Sequence, residues 1–303
     1  MNVINNAEPK VSVIIPTFKR ADMLQTTIDI LIGQLYKNIE IIVVDDNNPD
    51  TSWRKETSDL MKKYKDEDRV IYIKHERNKN GSAARNTGFG ISNGHFICFL
   101  DDDDLFYPEK ITKQVKFLLE HRQFDACCCD YVKNSKQIVI PDKEDYSEDI
   151  LLLNATPQTS GIMFRRDAIV SLGGFDESYI RHQDYELLLR FFSSGMRMGK
   201  INEVLYERIV AENDNTPSGP KMELVKKKFL CQFDPIIKKQ DIVDKNFRKK
   251  VYIRHYIQLL KCFIKSRNYF KALFYSLKAF FIKPSIFINE IKRQLDVSKL
   301  LSK

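Results

Sequence analysis

The sequence predicts an α/β fold, in which helices flank a mostly parallel sheet, followed by a helical C-terminal region. Short apolar segments rich in Val and Ile alternate with segments of helical periodicity, a pattern typical of parallel strands joined by crossover helices. Beyond the turn-rich stretch NDNTPSGP, Asn213–Pro220, the periodicity is helical throughout. We therefore predict one domain at residues 1–218 and a basic helical region at residues 219–303.

The individual elements follow from these patterns in chain order. Four short apolar runs predict strands: Val11–Ile15, Ile39–Val44, Val70–Ile73 and His95–Leu100. Apolar residues at three- and four-residue spacing predict the main helices: Ala21–Leu35, a helix within Ser82–Ile91, Ile111–His121 and a helix that begins near Gln183. The adjacent residues Cys127, Cys128 and Cys129 predict a buried strand rather than a disulfide framework.

Charge is distributed unevenly along the 303 residues. Residues 219–303 contain 21 basic and 6 acidic side chains, a net charge of +15, and the whole chain carries +8, which leaves −7 for residues 1–218. No nucleic-acid-binding motif accompanies the basic region, so nucleic acid is not an expected partner. The sequence shows no apolar leader and no run of about 18 uncharged apolar residues, and we therefore expect a cytoplasmic protein.

Polar residues follow the predicted strands at their carboxyl ends. Thr17 follows the first strand, Asp45 and Asp46 follow the second, and the run Asp101–Asp104 follows the fourth. Because ligands of open α/β sheets bind at the carboxyl ends of the strands, these side chains are expected to form one site. Their convergence carries more weight than any single motif.

The four consecutive acids fit two interpretations. Alternate carboxylates suit a hard divalent cation, Mn²⁺ or Mg²⁺, and Asp101 and Asp103 would point the same way if the chain stayed extended. The run also fits a solvated acidic turn before the helix that starts near Pro108. The local pattern leaves both open.

Other polar positions are equally ambiguous by themselves. Asp45 and Asp46 fit an Asx-type turn or acceptors for a nucleobase or ribose. The stretch Gly81–Asn86 offers small residues at a helix start, where backbone N–H groups can approach phosphate, and Arg85 fits this site or a structural ion pair. Asp184 fits a helix N-terminal acid or a general base.

In combination, the motifs resemble those of the family 2 glycosyltransferases. The matching segments, within about residues 10–210, are VSVIIPTFKR, IIVVDDNNPD, NGSAARNTGFGISNGHFICFLDDDDLFYPEK and GGFDESYIRHQDYELLLR. The resemblance implies the GT-A fold and metal-dependent, inverting transfer of a sugar from a nucleotide-diphosphate donor to an acceptor hydroxyl. It also implies a saccharide or lipid-linked acceptor, as in polysaccharide or glycoconjugate biosynthesis.

The resemblance implies a role for each matched position. Asp101 and Asp103 match the Asp-x-Asp that holds Mn²⁺ or Mg²⁺, with Asp103 the more direct ligand, and Asp184 matches the catalytic base. The nucleotide-sugar pocket is expected to contain Pro16, Thr17, Phe18, Asp45, Asp46, Arg85 and Asp102. Among these, Asp46 is expected to hold the base and Asp102 to lie near the ribose.

Two segments depart from the family's pattern. Gln183 precedes the expected base where Glu is more common, but the base itself is kept. The stretch Leu205–Ser218 contains Arg208 but no His, although many members carry a Tyr-Arg-x-His-like element there. The sequence therefore leaves open whether a third protein side chain binds the metal.

Two other functional classes compete with a transferase as interpretations of this sequence. A sugar nucleotidyltransferase is expected to carry a Gly-rich, basic nucleotide loop after the first strand, and PTFKR has none. A nucleotide-sugar-binding module without activity would have no need of Asp101, Asp103 and Asp184 together. Both observations favour a transferase.

The C-terminal region carries apolar stripes with two interpretations. In Tyr269–Ile282 the residues at helical spacing are Phe270, Leu273, Phe274, Leu277 and Phe281, while Lys271 and Lys278 lie off the stripe. Val251–Ile264 is similarly apolar, with Arg254 and Lys261 as basic positions. The stripes fit core packing, or a face that lies on an anionic membrane at the inner side of the cell.

Overall fold

The computed structural model describes residues 8–209 and 218–301, which form two compact units. Within these ranges, one unit comprises residues 8–146 and 156–209, and the other comprises residues 147–155 and 218–301. Residues 213–217 of the predicted linker lie outside the described residues, and the domain boundary near residue 218 stays a prediction. No sequence pattern indicated that residues 147–155 group with the C-terminal helices.

One sheet of nine strands, counted within the described residues, organises the first unit. The strands are β1 (Val11–Thr17), β2 (Ile39–Asp45), β3 (Val70–Lys74), β4 (Phe96–Phe99), β5 (Asp104–Phe106), β6 (Ala126–Lys133), β7 (Lys136–Ile138), β8 (Met163–Arg165) and β9 (Met198–Arg208). Their order is β3-β2-β1-β4-β8-β6-β9-β5, and β7 pairs with β6. The β1–β2, β1–β4, β2–β3 and β6–β9 pairs are parallel, and the others are antiparallel.

Helices flank this sheet and form the second unit. They are α1 (Ala21–Ile32), α2 (Ser52–Met61), α3 (Gly81–Ile91), α4 (Lys110–Glu120), α5 (Ser147–Leu151), α6 (Arg166–Leu172), α7 (Gln183–Ser193), α8 (Gly219–Gln232), α9 (Asp234–Val243), α10 (Phe247–Lys265), α11 (Tyr269–Ile282) and α12 (Pro284–Leu301). The predicted α/β class with a helical C-terminal region is confirmed. The first helix ends at Ile32, three residues before its predicted end, and Leu35 is exposed.

The parallel strands bring their polar ends to one edge. All seven residues of β2 are buried, and Thr17 of β1 is in register with Asp45 of β2. Strand β4 runs beside β1 as far as the pair Ile14–Phe99, so the acids after β4 start at the same edge. The three cysteines of β6 are buried and unbridged, as predicted.

The second unit is built around α10. Its core includes Ile253, Ile257 and Phe263 of α10 with Tyr275 of α11. Arg254 Nη1 of α10 donates at 2.8 Å to the main-chain oxygen of Leu152, the residue that follows the short helix α5. In the portion of the chain that the structure describes, no helix combines the length and apolar character needed to cross a bilayer.

Candidate active site at the strand edge

The acidic turn after β4 is anchored to β1 and α1. Thr17 Oγ1 donates a hydrogen bond of 2.7 Å to Asp102 Oδ2. Thr27 Oγ1 of α1 donates to the main-chain oxygen of Asp102 at 3.0 Å. Asp102 therefore points into the protein, between the end of β1 and the first helix, and holds the turn in place.

The acids do not alternate as an extended chain would require. Strand β4 ends at Phe99, and residues 102 and 103 form a turn before β5 begins. Arg20 Nη1 lies 3.3 Å from Asp102 Oδ1 and is also hydrogen-bonded to Asp103 Oδ2. Arg85 Nη2 lies 2.5 Å from Asp101 Oδ1. The chain turns between Asp101 and Asp103, so the extended conformation on which their common direction was conditional is absent.

The carboxylates of the acidic turn differ in burial, and burial shifts their pKa values. The Asp101 side chain is 43% exposed, whereas that of Asp103 is 12% exposed. Burial raises the pKa of Asp102 to about 7, against the opposing effects of its bond from Thr17 and the charge of Arg20. Burial also raises the pKa of Asp103, and the negative charge of Asp101 adds to that shift. The carboxylates are thus close enough to disfavour one another's ionised forms.

The donor set fits a hard divalent cation held by few protein ligands. Carboxylate oxygens are the ligands that Mg²⁺ and Mn²⁺ prefer, and the mutual repulsion of Asp101 and Asp103 would be relieved by a cation. Among the described residues, no group of three or more His, Cys, Asp or Glu side chains is placed to hold a metal ion. One or two carboxylates with water and phosphate oxygens is the coordination that Mg²⁺ commonly has in phosphate sites.

Asp45 is buried and held by protein groups. Tyr72 donates its hydroxyl to Asp45 Oδ2 at 2.6 Å, and Arg54 Nε lies 3.3 Å from the same oxygen. The backbone N–H and the side-chain amide of Asn47 both donate to Asp45 Oδ1. The Asx-type turn considered from the sequence is therefore present, and Asp45 organises the chain after β2.

Asp46 fixes the loop that leads into α3. Its Oδ1 accepts from the backbone of Lys79 at 2.8 Å and lies 2.7 Å from His75 Nδ1. Its Oδ2 accepts from Asn78 Nδ2 at 2.8 Å and from the backbone of Asn80 at 2.9 Å. Base recognition by Asp46 stays a prediction, and these contacts show that the carboxylate also shapes the loop beside it.

The start of α3 is capped from within the chain. Asn80 Oδ1 accepts from the backbone N–H groups of Ser82 and Ala83, at 2.9 and 3.2 Å. These two N–H groups are therefore already hydrogen-bonded, and the expected approach of phosphate to them is not favoured by this arrangement. The side chain of Arg85, one turn further on, is the cationic group that α3 supplies to the site.

Arg85 connects the acidic turn to the predicted base. Its Nη1 donates to Gln183 Oε1 at 2.9 Å, and its Nη2 donates to Asp101. Asp184 follows Gln183 in the first turn of α7. Burial raises the pKa of Asp184, while the nearby charges of Arg181 and Arg85 oppose the shift. Arg85 therefore contacts Asp101 directly and also contacts Gln183, the residue that precedes Asp184.

Three residues at the border of the site, Lys19, Arg20 and Trp53, were not predicted from the sequence. Arg20 holds Asp102 and Asp103, and the motif PTFKR could have indicated it as a cation directly after β1. Lys19 Nζ lies 4.0 Å from the ring centre of Trp53 and 4.9 Å from that of Phe18. Together these three exposed side chains border the site. No short-range signal relates Trp53 to this edge.

Arg208 occupies the region where the expected histidine is missing. It is the register partner of Asp104 on neighbouring antiparallel strands, and its Nη1 donates to Gln158 Oε1 at 3.2 Å. Its charge acts on Asp104 and Asp103, whose pKa values are raised chiefly by burial and lowered in part by Arg208. Residues 210–217 of the same segment lie outside the described residues.

Comparison with known proteins identifies the family of this chain. The sequence profile of Glycosyl transferase family 2 matches residues 12–186. A UDP-Glc:alpha-D-GlcNAc-diphosphoundecaprenol beta-1,3-glucosyltransferase of Escherichia coli, WfaP, is 30% identical over 66% of this chain and 78% of its own length. The amylovoran biosynthesis glycosyltransferase AmsB of Erwinia amylovora is 29% identical over 64% of this chain and 67% of its own length.

Solved structures show the same fold. S. aureus TarS 1-349 in complex with UDP-GlcNAc has a TM-score of 0.62 at 15% identity, covering 90% of this chain and 91% of that one. The mannosyltransferase PcManGT from Pyrobaculum calidifontis, in complex with GDP-Man and Mn²⁺, has a TM-score of 0.57 at 14% identity, covering 98% and 79%. The longer TarS chain also matches, and this chain spans 40% of its length.

Proposed function

Because the chain belongs to glycosyl transferase family 2, we propose that it transfers a sugar from a nucleotide diphosphate to an acceptor hydroxyl with inversion at the anomeric carbon. The observation that carries this proposal is the position of Arg85, which hydrogen-bonds both Asp101 of the acidic turn and Gln183 beside Asp184. Arg85 thereby links the turn that carries the proposed metal ligands to the start of the helix that carries the proposed base. Family membership also disfavours the sugar nucleotidyltransferase alternative.

In the proposed reaction, Asp184 takes the proton of the acceptor hydroxyl while that oxygen bonds to the anomeric carbon. The bond between this carbon and the diphosphate oxygen breaks at the same time, and the electron pair leaves with the nucleoside diphosphate. The raised pKa of Asp184 makes its carboxylate a stronger base than an exposed aspartate. Attack opposite the leaving group inverts the anomeric configuration, and holding both substrates at one edge supplies orientation.

Asp101 and Asp103 are the proposed ligands of a divalent cation, with Asp103 the more direct one. When bound, the cation supplies neutralisation of the negative charge that develops on the leaving diphosphate. Arg20 pairs with Asp103 and Arg85 pairs with Asp101, so the two arginines orient the proposed ligands and balance their charge. Other members of the fold support this proposal, since the PcManGT structure contains Mn²⁺.

The nucleotide is proposed to lie over the ends of β1 and β2. Phe18 is exposed there, next to Lys19 and Trp53, and offers an apolar surface for a base. Pro16 and Thr17, at the end of β1, are proposed to line the pocket. Asp46 is the proposed base contact, and Asp102 is proposed to lie near the ribose. TarS and WfaP support a UDP-sugar donor, because their names include UDP-GlcNAc and UDP-Glc.

The acceptor is proposed to be lipid-linked or a growing saccharide. WfaP is named for transfer to a diphosphoundecaprenol-linked sugar, and AmsB is named for amylovoran biosynthesis. A lipid-linked acceptor is met at a membrane surface, and we therefore propose a cytoplasmic location, peripheral at the inner face of the membrane.

A panel of UDP- and GDP-sugars, incubated with the protein and Mn²⁺ or Mg²⁺, tests the function by release of nucleoside diphosphate. We expect one donor to be turned over, faster with a lipid-linked sugar acceptor and more slowly after chelation of the metal. NMR of the product should show the anomeric configuration opposite to that of the donor. Retained configuration would rule out single displacement, and absence of both binding and turnover with every donor would rule out the proposed activity.

A further inference from the structure

Helix α11 buries its small residues and exposes its large ones. Ala272 and Ala279 are buried, whereas Phe270 and Phe281 are 81% and 76% exposed. We define the α11 face as the exposed apolar side chains Phe270, Leu273, Phe274, Leu277, Phe280 and Phe281. The helical spacing of the stripe is therefore correct, but its interpretation as core packing is wrong for this helix.

The neighbouring helix α10 shows the usual arrangement. Its apolar residues Val251, Ile253, Ile257 and Phe263 are all buried. It meets α11 through Tyr256 and Phe263, whose rings pack on the ring of Tyr275. The two helices are thus in firm contact, and the α11 face is the side of α11 turned away from that contact.

The α11 face is continuous and has a cationic border. At about 100° of rotation per residue, its six members fall on one side of the helix, while Lys271 and Lys278 follow each other along one border. The helix has 14 residues and is therefore about 21 Å long, shorter than the roughly 30 Å core of a bilayer. Such a helix can lie along a membrane surface.

The border lysines differ in their partners. Lys271 Nζ lies 3.4 Å from Glu223 Oε2. Lys278 Nζ lies 4.8 Å from the ring centre of Tyr256, and in the described ranges no carboxylate is within ion-pair distance of it. Lys278 is exposed beside Phe274, where its ammonium can follow the apolar face to a surface of opposite charge.

We propose that the α11 face binds the surface of an anionic lipid bilayer. The aromatic and Leu side chains would enter the boundary between headgroups and acyl chains, and Lys278 at the border would contact lipid phosphates. Charge complementarity selects this occupant, because residues 219–303 carry 21 basic and 6 acidic side chains, a net of +15. A second copy of the chain would instead bring two cationic borders together. The inference stands independently of the proposed sugar transfer.

Sedimentation of the full chain with vesicles tests this proposal without any need for turnover. Vesicles of phosphatidylcholine with phosphatidylglycerol, in about 50 mM salt, should carry the protein down, and neutral phosphatidylcholine vesicles or about 500 mM salt should weaken binding. The variant Phe270→Ser/Phe274→Ser/Phe281→Ser should bind about tenfold or more weakly. Its matched control is Ile242→Ser/Val243→Ser, which removes exposed apolar side chains from α9 and should bind as the wild type does.

A charge-reversal pair separates local from total charge. Lys278→Glu at the border of the α11 face should weaken binding about fivefold or more, whereas Lys239→Glu on α9 makes the same change in net charge and should have a smaller effect. Circular dichroism spectra of the variants that match the wild-type spectrum would show that these substitutions leave the fold intact. Equal binding by the α11 and α9 variants overturns the proposal, and so does wild-type protein that fails to sediment. The proposal would also be overturned if the wild type formed dimers and the Phe substitutions abolished dimerisation but not vesicle binding. The α11 face would then be assigned to contact with a second copy of the chain.

Discussion

The strand edge of the first unit buries charged side chains, whereas helix α11 of the second unit exposes apolar ones. At the strand edge, Asp102 and Asp103 are buried and held by Arg20 and Thr17. On α11, Phe270 and Phe281 face outward while alanines face the core. Each region reverses the usual placement of its residue types.

The two reversals have different energetic consequences. Burying a carboxylate costs solvation, which hydrogen bonds and cations must offset, so the strand edge needs many partners fixed in place. An exposed aromatic side chain needs no partner in the folded protein, and only its potential contact with another surface gives it a role. Substitutions at the strand edge should therefore change binding and rate, while those on α11 should change adhesion and leave turnover of a water-soluble donor intact.

The largest expected effect comes from Asp184→Asn. An amide cannot accept the acceptor's proton, so we expect transfer to fall about 10²-fold or more while donor binding is nearly kept. The control is Asp167→Asn, which changes an exposed acid in the first turn of α6 and should leave the rate unchanged. Rates and donor affinity measured together decide the role. Comparable loss of donor affinity in Asp184→Asn would make this residue a binding group instead.

A smaller effect is expected from removing one carboxylate of the acidic turn. Asp101→Asn or Asp103→Asn should weaken Mn²⁺-dependent nucleotide binding about tenfold or more, because each removes a hard anionic ligand. Binding measured in chelator should change much less. Asp142→Asn, an exposed acid elsewhere in the first unit, serves as the control. Normal turnover by either variant at limiting Mn²⁺ would contradict the assignment of the metal ligands.

The smallest expected effect concerns the buried imidazole of His255 in the second unit. Burial, together with the charge of Lys226, holds the pKa of His255 well below its usual range, and its Nε2 lies 3.0 Å from Leu151 O of α5. The ring is therefore neutral in the folded protein, while the unfolded chain takes up a proton below about pH 6.5. Stability linked to His255 is present above that pH and is lost as the pH falls.

Denaturant unfolding at two pH values measures this loss. Between about pH 6.5 and 5.5, the free energy of unfolding should fall by about 1 kcal/mol more in the wild type than in His255→Gln. Glutamine does not titrate but can still donate to Leu151 O, so the comparison isolates the proton. Parallel pH dependence of the two proteins would show that His255 is not the responsible group.

Local patterns predicted the elements well, because strands and helices are set largely by short-range periodicity. The runs at β1, β2 and β4 and the polar residues after them placed Thr17, Asp45 and Asp101 at one sheet edge, as observed. The same patterns could not show that the chain turns at residues 102 and 103. That turn depends on Thr17, Thr27 and Arg20, which are distant in sequence.

The sequence by itself determined the family, the strands and helices with clear periodicity, and which residues of α11 share a face. Only the tertiary structure decided which carboxylate meets which arginine and which face of α11 is buried. Periodicity specifies a face of a helix but not its direction, and here Ala272 and Ala279 allow close packing on that side while Phe270 and Phe281 stay outside. Likewise, the pairing of Arg85 with Asp101 and Gln183 requires α3, the acidic turn and α7 to meet in space, which no local pattern encodes.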